Sequence, residues 1–168
     1  LDHDGVDVET GGISRYLQLT DRLGLDREYV ISTSGILPAT RFAVDAYTAF
    51  VARRTLLEAI ASSLTELFAP AIHRERIKGL SEHYAWADEY ALAYFNKRLK
   101  EAPKDAKFGR EYVIREARSR EQQELVLAAI RFKTDILWTQ LDALSYAYIY
   151  PGITPPGAFC PESYKSTR

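Results

Sequence analysis

The chain of 168 residues carries 22 basic and 23 acidic side chains, so its formal net charge is −1 at pH 7. This balance gives no reason to expect a nucleic acid or a membrane surface as partner. A hydrophobic content of 46% is sufficient for one sizeable core. The single cysteine excludes an intramolecular disulfide and favours a reducing, cytoplasmic location. No apolar run approaches the roughly 20 residues that a membrane span needs.

Apolar spacing and capping residues predict helices throughout the first half of the chain. The predicted helices span residues 13–24, 26–31 and 38–53, and a capping box of Thr55 and Glu58 begins a fourth. We expect the helix over 38–53 to turn four side chains inward, namely Phe42, Ala46, Ala49 and Phe50. No segment alternates in the manner of a strand, so the class is all-α, with about six helices.

The fourth helix contains the most unusual stretch, AIASSLTELFAPAIH at 59–73. One side carries apolar residues at helical spacing, Ile60, Leu64 and Leu67. The other side carries small residues with Glu66 and His73, which lie within about 20° of each other on an ideal helix. Pro70 lacks a backbone N–H, so we expect a kink between them and an end near residue 79. A cavity wall and an interhelical Glu–His pair explain this face equally well.

The second half of the chain is expected to hold three more helices and a tail. They span 88–102, 103–118 and 120–148, with Pro103 separating the first two and Ser119 with Gln122 capping the last. Two apolar stripes run along the last helix, Leu125, Ala129, Phe132 and Ile136, and then Leu137, Leu141, Leu144 and Tyr148. Four prolines and two glycines follow within residues 150–161. We therefore divide the chain into a helical domain, 1–149, and a tail or linker, 150–168.

Several polar side chains fit poorly in a plain helical core. Lys133 lies on the buried stripe, where it either extends to the surface or points into a cavity that holds an anionic ligand. Tyr94 and Arg98 share a helix face, which suits an amphipathic surface or a joint site for a carboxylate and an oxygen species. His3, between two aspartates, is a proton-transfer group or a helix-end histidine. Tyr47, taken alone, is a core residue.

Motifs for nucleotide or metal mechanisms are not found in the sequence. It contains no CxxC, no HExxH, no glycine-rich phosphate loop and no nucleophile elbow, and the ExxH pair of di-iron bundles is not repeated. Histidine, tyrosine, arginine and lysine remain as the candidate site residues. Such a set suits acid–base chemistry on a polyanionic, redox-active or acidic organic ligand.

Six sequence blocks together resemble the PqqC family, the pyrroloquinoline-quinone synthases. The blocks are LDHDG at 1–5, GGI at 11–13, LPATRFAVDAY at 37–47, SSLTELFAPAIH at 62–73, YFNKRL at 94–99 and RFKTDILWTQLDALSYAY at 131–148. They follow the family's order over nearly all of residues 1–149. Each block alone is weak evidence, whereas six in order make the resemblance specific.

The resemblance implies a haem-oxygenase-like helical fold, a homodimer and an oxidase without metal, flavin or other cofactor. The substrate would be the bicyclic precursor AHQQ, whose last ring is closed and oxidised by O2 to give pyrroloquinoline quinone (PQQ) and hydrogen peroxide. The residues that match the family's catalytic positions are His3, His73, Tyr94, Arg98 and Lys133. Those that match its substrate-binding positions are Tyr47, Thr65, Glu66 and Arg76.

The chain departs from the family pattern at both ends. The family's N-terminal segment, with a histidine-rich stretch and a pocket-closing helix, is not found, so we expect a fragment whose activity is uncertain. The tail sequence ITPPGAFCPESY resembles the junction in fusions with the carrier domain PqqD.

Two alternatives are a di-iron oxygenase of the same fold and a non-catalytic quinone-binding module. Lys133, Leu137 and Gln140 argue against the first because none is a usual iron ligand.

Overall fold

The computed structural model describes residues 11–150, and every element within this range is helical. His3 and the predicted tail from residue 151 onward lie outside the described residues. The helices are α1 (Gly12–Arg22), α2 (Arg27–Ser32), α3 (Pro38–Arg53), α4 (Leu56–Ser62), α5 (Ala69–His83), α6 (Ala93–Glu116) and α7 (Arg120–Leu144). A 3₁₀ segment, Ser63–Leu67, links α4 to α5, and a π-helical turn, Ser145–Ile149, follows α7. The predicted all-α class is confirmed, and none of the helices between residues 11 and 150 is long and apolar enough to cross a membrane.

Three of the predicted helix starts are confirmed by their capping contacts. The Asp26 carboxylate accepts a hydrogen bond from the Tyr29 N–H at 2.7 Å and so caps α2. Thr55 and Glu58 form the predicted capping box of α4, and Ser119 with Gln122 forms that of α7. Helix α3 has the predicted bounds, Pro38–Arg53, and its start agrees with the preference of proline for the first turn.

The predicted continuous helix through 59–73 is wrong. Helix α4 ends at Ser62, where the hydroxyls of Ser62 and Ser63 donate to the carbonyls of Ala59 and Ile60 at 2.7 Å. Such bonds compete with helix continuation. Pro70 lies in the first turn of α5 instead of at a kink, so Glu66 and His73 belong to different elements. Helix α5 also continues past Gly79 to His83, since Ile77 and Leu80 pack against a buried cluster.

The predicted break at Pro103 is also wrong. Pro103 lies inside α6, which begins at Ala93 instead of at Asp88. A proline removes one hydrogen bond, and buried Ala102 and Ala106 on either side of it keep the helix packed. The Asp88 carboxylate accepts from the Ala91 N–H at 2.9 Å in a turn before the helix.

The chain divides into two compact units. The first comprises the described residues up to Gly35 together with Glu66–Phe108, and its buried cluster is Leu19, Ala91, Leu92 and Phe95. The second comprises Ile36–Thr65 and the described residues from Gly109 onward. Its core lies where α3 and α4 pack on α7 and consists of Leu57, Ala61, Val113, Val126 and Ala129.

The inward face predicted for α3 is partly wrong. Phe42 is 71% exposed and Ala46 is exposed, whereas Ala43 is buried. Phe50 stacks on Phe132 with ring centroids 4.5 Å apart, as its predicted inward position requires. The stripe Ala43, Tyr47 and Phe50 has the same helical spacing as the predicted one but is rotated by about 100°, or one residue. The second apolar stripe predicted for the last helix is exposed at all four positions, Leu137, Leu141, Leu144 and Tyr148. Leu67, predicted on the apolar side of the fourth helix, is also exposed.

Candidate active site

Helices α5 and α6 bring His73 and Tyr94 together in the first unit. Their ring centroids are 6.4 Å apart and the rings are nearly perpendicular, at 86°. The ring centroids of Phe95 and His73 are 5.7 Å apart. Tyr16 of α1 packs edge-on against Tyr94, with ring centroids 5.2 Å apart. These distances are typical of aromatic pairs that hold each other in one orientation. The imidazole and the phenol are therefore held next to each other by packing.

The imidazole of His73 combines burial with an unused hydrogen-bonding atom. Its Nδ1 is buried and has no hydrogen-bond partner among residues 11–150. Burial lowers the pKa of His73 below its usual value, the cations Arg76 and Arg98 lower it further, and Glu66 opposes them. A histidine with a lowered pKa is neutral at pH 7, so one ring nitrogen is able to accept a proton.

The lowered pKa of His73 predicts a pH dependence of stability. The unfolded chain takes up a proton near pH 6.5 at this residue, whereas the folded protein resists protonation until lower pH. The unfolded state binds more protons in that window, so stability falls as the pH falls below about 6.5. We expect the difference in free energy of unfolding between wild type and His73→Gln to shrink from pH 7.5 to pH 5.5, measured by urea denaturation. His83→Gln, at the exposed end of α5, should keep the wild-type slope, and an identical slope for His73→Gln would contradict the prediction.

Arg98 is a buried cation in the first unit, only 3% exposed. Its guanidinium contacts three carboxylates, Glu66 at 2.7 Å, Asp105 at 3.1 Å and Glu101 at 3.9 Å. Burial lowers the pKa of Arg98, but the bonds to Asp105 and Glu66 outweigh it and raise that pKa overall. The interpretation of this face of α6 as an amphipathic surface is therefore wrong at Arg98.

The hypothesis of a Glu66–His73 pair requires a correction. The hydrogen bond of the Glu66 carboxylate goes to Arg98 Nη2, at 2.7 Å, and the two residues lie on separate elements. Glu66 influences His73 through its charge alone. Arg76, one turn after His73 and exposed, places its guanidinium 5.3 Å from the centre of the Phe95 ring.

The second unit holds the other group of predicted site residues. The Lys133 ammonium lies 3.5 Å from the centre of the Tyr47 ring, a close cation–π contact. The Tyr47 hydroxyl is 3.0 Å from Ser62 Oγ. Thr65 is half-buried in the 3₁₀ segment. Tyr47 is therefore more than a core residue, because its ring and its hydroxyl each have a polar contact.

An apolar cavity of about 460 Å³ adjoins Tyr94 in the first unit. Its lining includes the apolar residues Ile13, Tyr16 and Leu17 of α1, together with Val30 and Ile31 of α2. Ile13 is 58% exposed, so part of this apolar face lines the cavity instead of entering the core. Sequence spacing identified the apolar residues but had no means of separating a cavity wall from a core face.

Asp105 and Ser62 are two site residues to which no pattern in the sequence points. Asp105 lies seven residues after Arg98 on α6, a spacing that places both on one face once Pro103 is accepted inside the helix. Ser62 is one of the small residues of the stretch 59–73, and its spacing alone does not distinguish it from the others. Within the described range, no group of three His, Cys, Asp or Glu side chains is arranged to hold a metal ion.

The described residues define an all-α protein with a neutral imidazole, a phenol and a buried arginine in one unit and a lysine on a tyrosine ring in the other. Residues 1–143 match the model of the TENA/THI-4/PQQC family, and the chain belongs to this family. The helical, haem-oxygenase-like fold predicted from the sequence is the fold of that family.

Several curated relatives carry the name pyrroloquinoline-quinone synthase. The one from Rhizobium meliloti (strain 1021) is 60% identical over 158 residues, which is 94% of this chain and 62% of the relative. That from Granulibacter bethesdensis is 56% identical over 162 residues, 96% of this chain and 64% of the relative. That from Gluconobacter oxydans (strain 621H) is 57% identical over 160 residues, 95% of this chain and 66% of the relative. The chain thus spans less than two thirds of the length of these relatives.

Proposed function

We propose that this protein is a pyrroloquinoline-quinone synthase, an oxidoreductase that uses O2 as electron acceptor. It closes the last ring of AHQQ and oxidises it to PQQ, and hydrogen peroxide is released. The name of the relatives, at 56–60% identity over at least 94% of this chain, supports the substrate and the reaction. The structural observation that carries the proposal is the imidazole of His73, which packs against the ring of Tyr94 and whose buried Nδ1 has no hydrogen-bond partner among residues 11–150.

His73 is the proposed proton acceptor. Ring closure and each oxidation step require protons to leave carbon or nitrogen, and a neutral imidazole is able to accept them as a general base. In each two-electron step the substrate loses two electrons and two protons, and O2 takes them up as hydrogen peroxide. The substrate is itself redox-active, so electrons pass to O2 with no metal, flavin or other protein cofactor. His3 is proposed as a second proton-transfer residue on the strength of the sequence resemblance.

Tyr94 and Arg98 are proposed to hold the reduced oxygen species. A superoxide or peroxide anion is stabilised by preorganised donors in a site from which water is excluded, and a phenol and a guanidinium are such donors. Glu66 and Asp105 engage one Nη atom each, and the Glu66 side chain is 40% exposed. A carboxylate of the substrate is therefore able to replace Glu66 on Arg98.

The remaining cations match a substrate with several carboxylates. Arg76 and Lys133 are proposed to pair with the substrate carboxylates. Tyr47, Thr65 and Glu66 are proposed to make further contacts with the substrate. These roles rest on the match of each position to the family blocks. A homodimer, the carrier domain PqqD as a further partner, and a cytoplasmic location are proposed on the same resemblance and, for the location, on the single cysteine.

Incubation with AHQQ in air tests the proposed reaction. The purified protein is treated with a metal chelator, and the Rhizobium meliloti relative serves as the positive control. We expect the visible absorption of PQQ to appear together with hydrogen peroxide in a peroxidase-coupled assay. Unchanged AHQQ with folded protein, under conditions in which the relative converts it, would count against the proposal.

A further inference from the structure

Ser62 occupies a fully buried position at the end of α4, with 0% exposure. Its hydroxyl has two oxygen neighbours, the Ala59 carbonyl at 2.7 Å and the Tyr47 hydroxyl at 3.0 Å. A carbonyl oxygen only accepts, so the single Ser62 proton is used on Ala59. The Tyr47 hydroxyl must therefore donate its own proton to Ser62 Oγ.

This arrangement fixes the position of the Tyr47 ring. A ring on a half-buried residue of α3 is held at one end by its backbone and at the other by the bond to Ser62. A phenol that donates its proton gains electron density, and an electron-rich face attracts a cation more strongly. The Lys133 ammonium lies on that face, 3.5 Å from the ring centre. Ser62, Tyr47 and Lys133 thus form a chain of contacts from α4 through α3 to α7.

We infer that Ser62 is a positioning residue, which holds the Tyr47 ring and through it the ammonium of Lys133. Ser62 is buried away from solvent and acts only through its neighbour. The expected effect of Ser62 on substrate binding rests on the proposed function, in which Lys133 pairs with a substrate carboxylate. The expected effect on the position of Lys133 in the free protein is independent of that function, because the contact between Lys133 and Tyr47 is present without substrate.

Ser63 provides a matched control next in the chain. Its hydroxyl donates to the Ile60 carbonyl at 2.7 Å, the same kind of bond that Ser62 makes to Ala59. Ser63 is exposed. Ser63→Ala therefore removes an equivalent helix-end hydrogen bond and leaves Tyr47 with its partner.

Nuclear magnetic resonance of the free protein tests the positioning role directly. The protein is labelled with ¹³C-lysine, and the Lys133 signal is assigned with Lys133→Arg. We expect the methylene protons beside the Lys133 ammonium to be shifted upfield by the Tyr47 ring and to return toward the value of the exposed lysines in Ser62→Ala. Ser63→Ala should leave the signal unchanged. A Lys133 signal that Ser62→Ala does not move would overturn the inference.

Binding of AHQQ under anaerobic conditions tests the consequence for substrate. We expect Ser62→Ala to weaken binding about tenfold, the effect of losing roughly one buried hydrogen bond. In a Tyr47→Phe background the same change should cost almost nothing, because the hydroxyl through which Ser62 acts is already gone. Additive losses would show a purely structural role for Ser62 and overturn the inference. A wild type that fails to bind AHQQ would contradict the proposed function instead, while the lysine signal still decides the positioning role.

Discussion

Arg98→Ala is expected to lower the free energy of unfolding by about 3–5 kcal/mol, the usual result of removing one partner from a buried ion pair. Arg98 is 3% exposed and contacts the carboxylates of Glu66, Asp105 and Glu101. Its removal leaves Glu66 and Asp105 close together without this cation, whereas Glu101 keeps its ion pair with Lys97 at 3.6 Å. The lower end of the range is expected because the Glu66 side chain is 40% exposed and is able to turn to solvent. Urea denaturation at pH 7 measures the loss.

Arg22→Ala is the matched control for this change. The Arg22–Asp88 ion pair is as short, 2.7 Å, but both side chains are 46% exposed. An exposed pair of this kind contributes less than about 1 kcal/mol. Arg98→Lys should fall between the two variants, since it keeps the charge and loses the two-pronged geometry. Equal losses of unfolding free energy for Arg98→Ala and Arg22→Ala would contradict the prediction that the buried Arg98 contributes more than an exposed arginine.

His73→Gln is expected to reduce the rate of PQQ formation by about 10²–10⁴-fold, the usual contribution of a general base. Glutamine is a neutral hydrogen-bonding side chain of similar reach, but it accepts no proton near pH 7. Binding of AHQQ without oxygen should change far less, because His73 is proposed to act on protons and not on the substrate carboxylates. Single-turnover conversion followed by visible absorption separates the two effects.

His83→Gln is the control for the turnover measurement. His83 is the last residue of the same helix and is exposed. The same substitution there should leave both binding and turnover at the wild-type level. If His73→Gln converts AHQQ as fast as His83→Gln does, His73 is not the proton acceptor.

Helix starts were predictable from the sequence because capping is local. Asp26, Thr55 and Ser119 each satisfy a backbone N–H within three residues, so neighbouring side chains decide the outcome. The start of α3 follows from Pro38, whose preference for the first turn of a helix is also a local effect. The all-α class required only periodicity and the lack of alternating segments.

Prolines and helix rotation were not predictable, because packing decides them. Pro103 is tolerated inside α6 by the burial of its alanine neighbours, whereas the break near Pro70 occurs earlier, at Ser62 and Ser63. The face of α3 that packs inward differs by one residue from the predicted one. Two apolar stripes with the same spacing are equivalent until the partner helix is known.

The candidate site was predictable only in part. Resemblance singled out His73, Tyr94, Arg98 and Lys133. The Glu66–His73 pair, one of the two interpretations that spacing left open, gives Glu66 the wrong partner. The contacts of Arg98 with Glu66, and of Tyr47 with Ser62, join residues 32 and 15 positions apart. Such contacts depend on the tertiary fold. The partnership of Arg98 with Asp105 was hidden by the break predicted at Pro103.

Anaerobic titration with AHQQ, followed by admission of air, tests the central claim most directly. The account predicts a saturable change in the visible spectrum under argon, with no PQQ formed, in protein shown to be free of metal and flavin. Admission of air should then convert the bound spectrum to that of PQQ, with hydrogen peroxide released. Conversion that proceeds fully under argon, or that begins only when iron or flavin is added, would contradict an oxidase in which the substrate passes its electrons directly to O2.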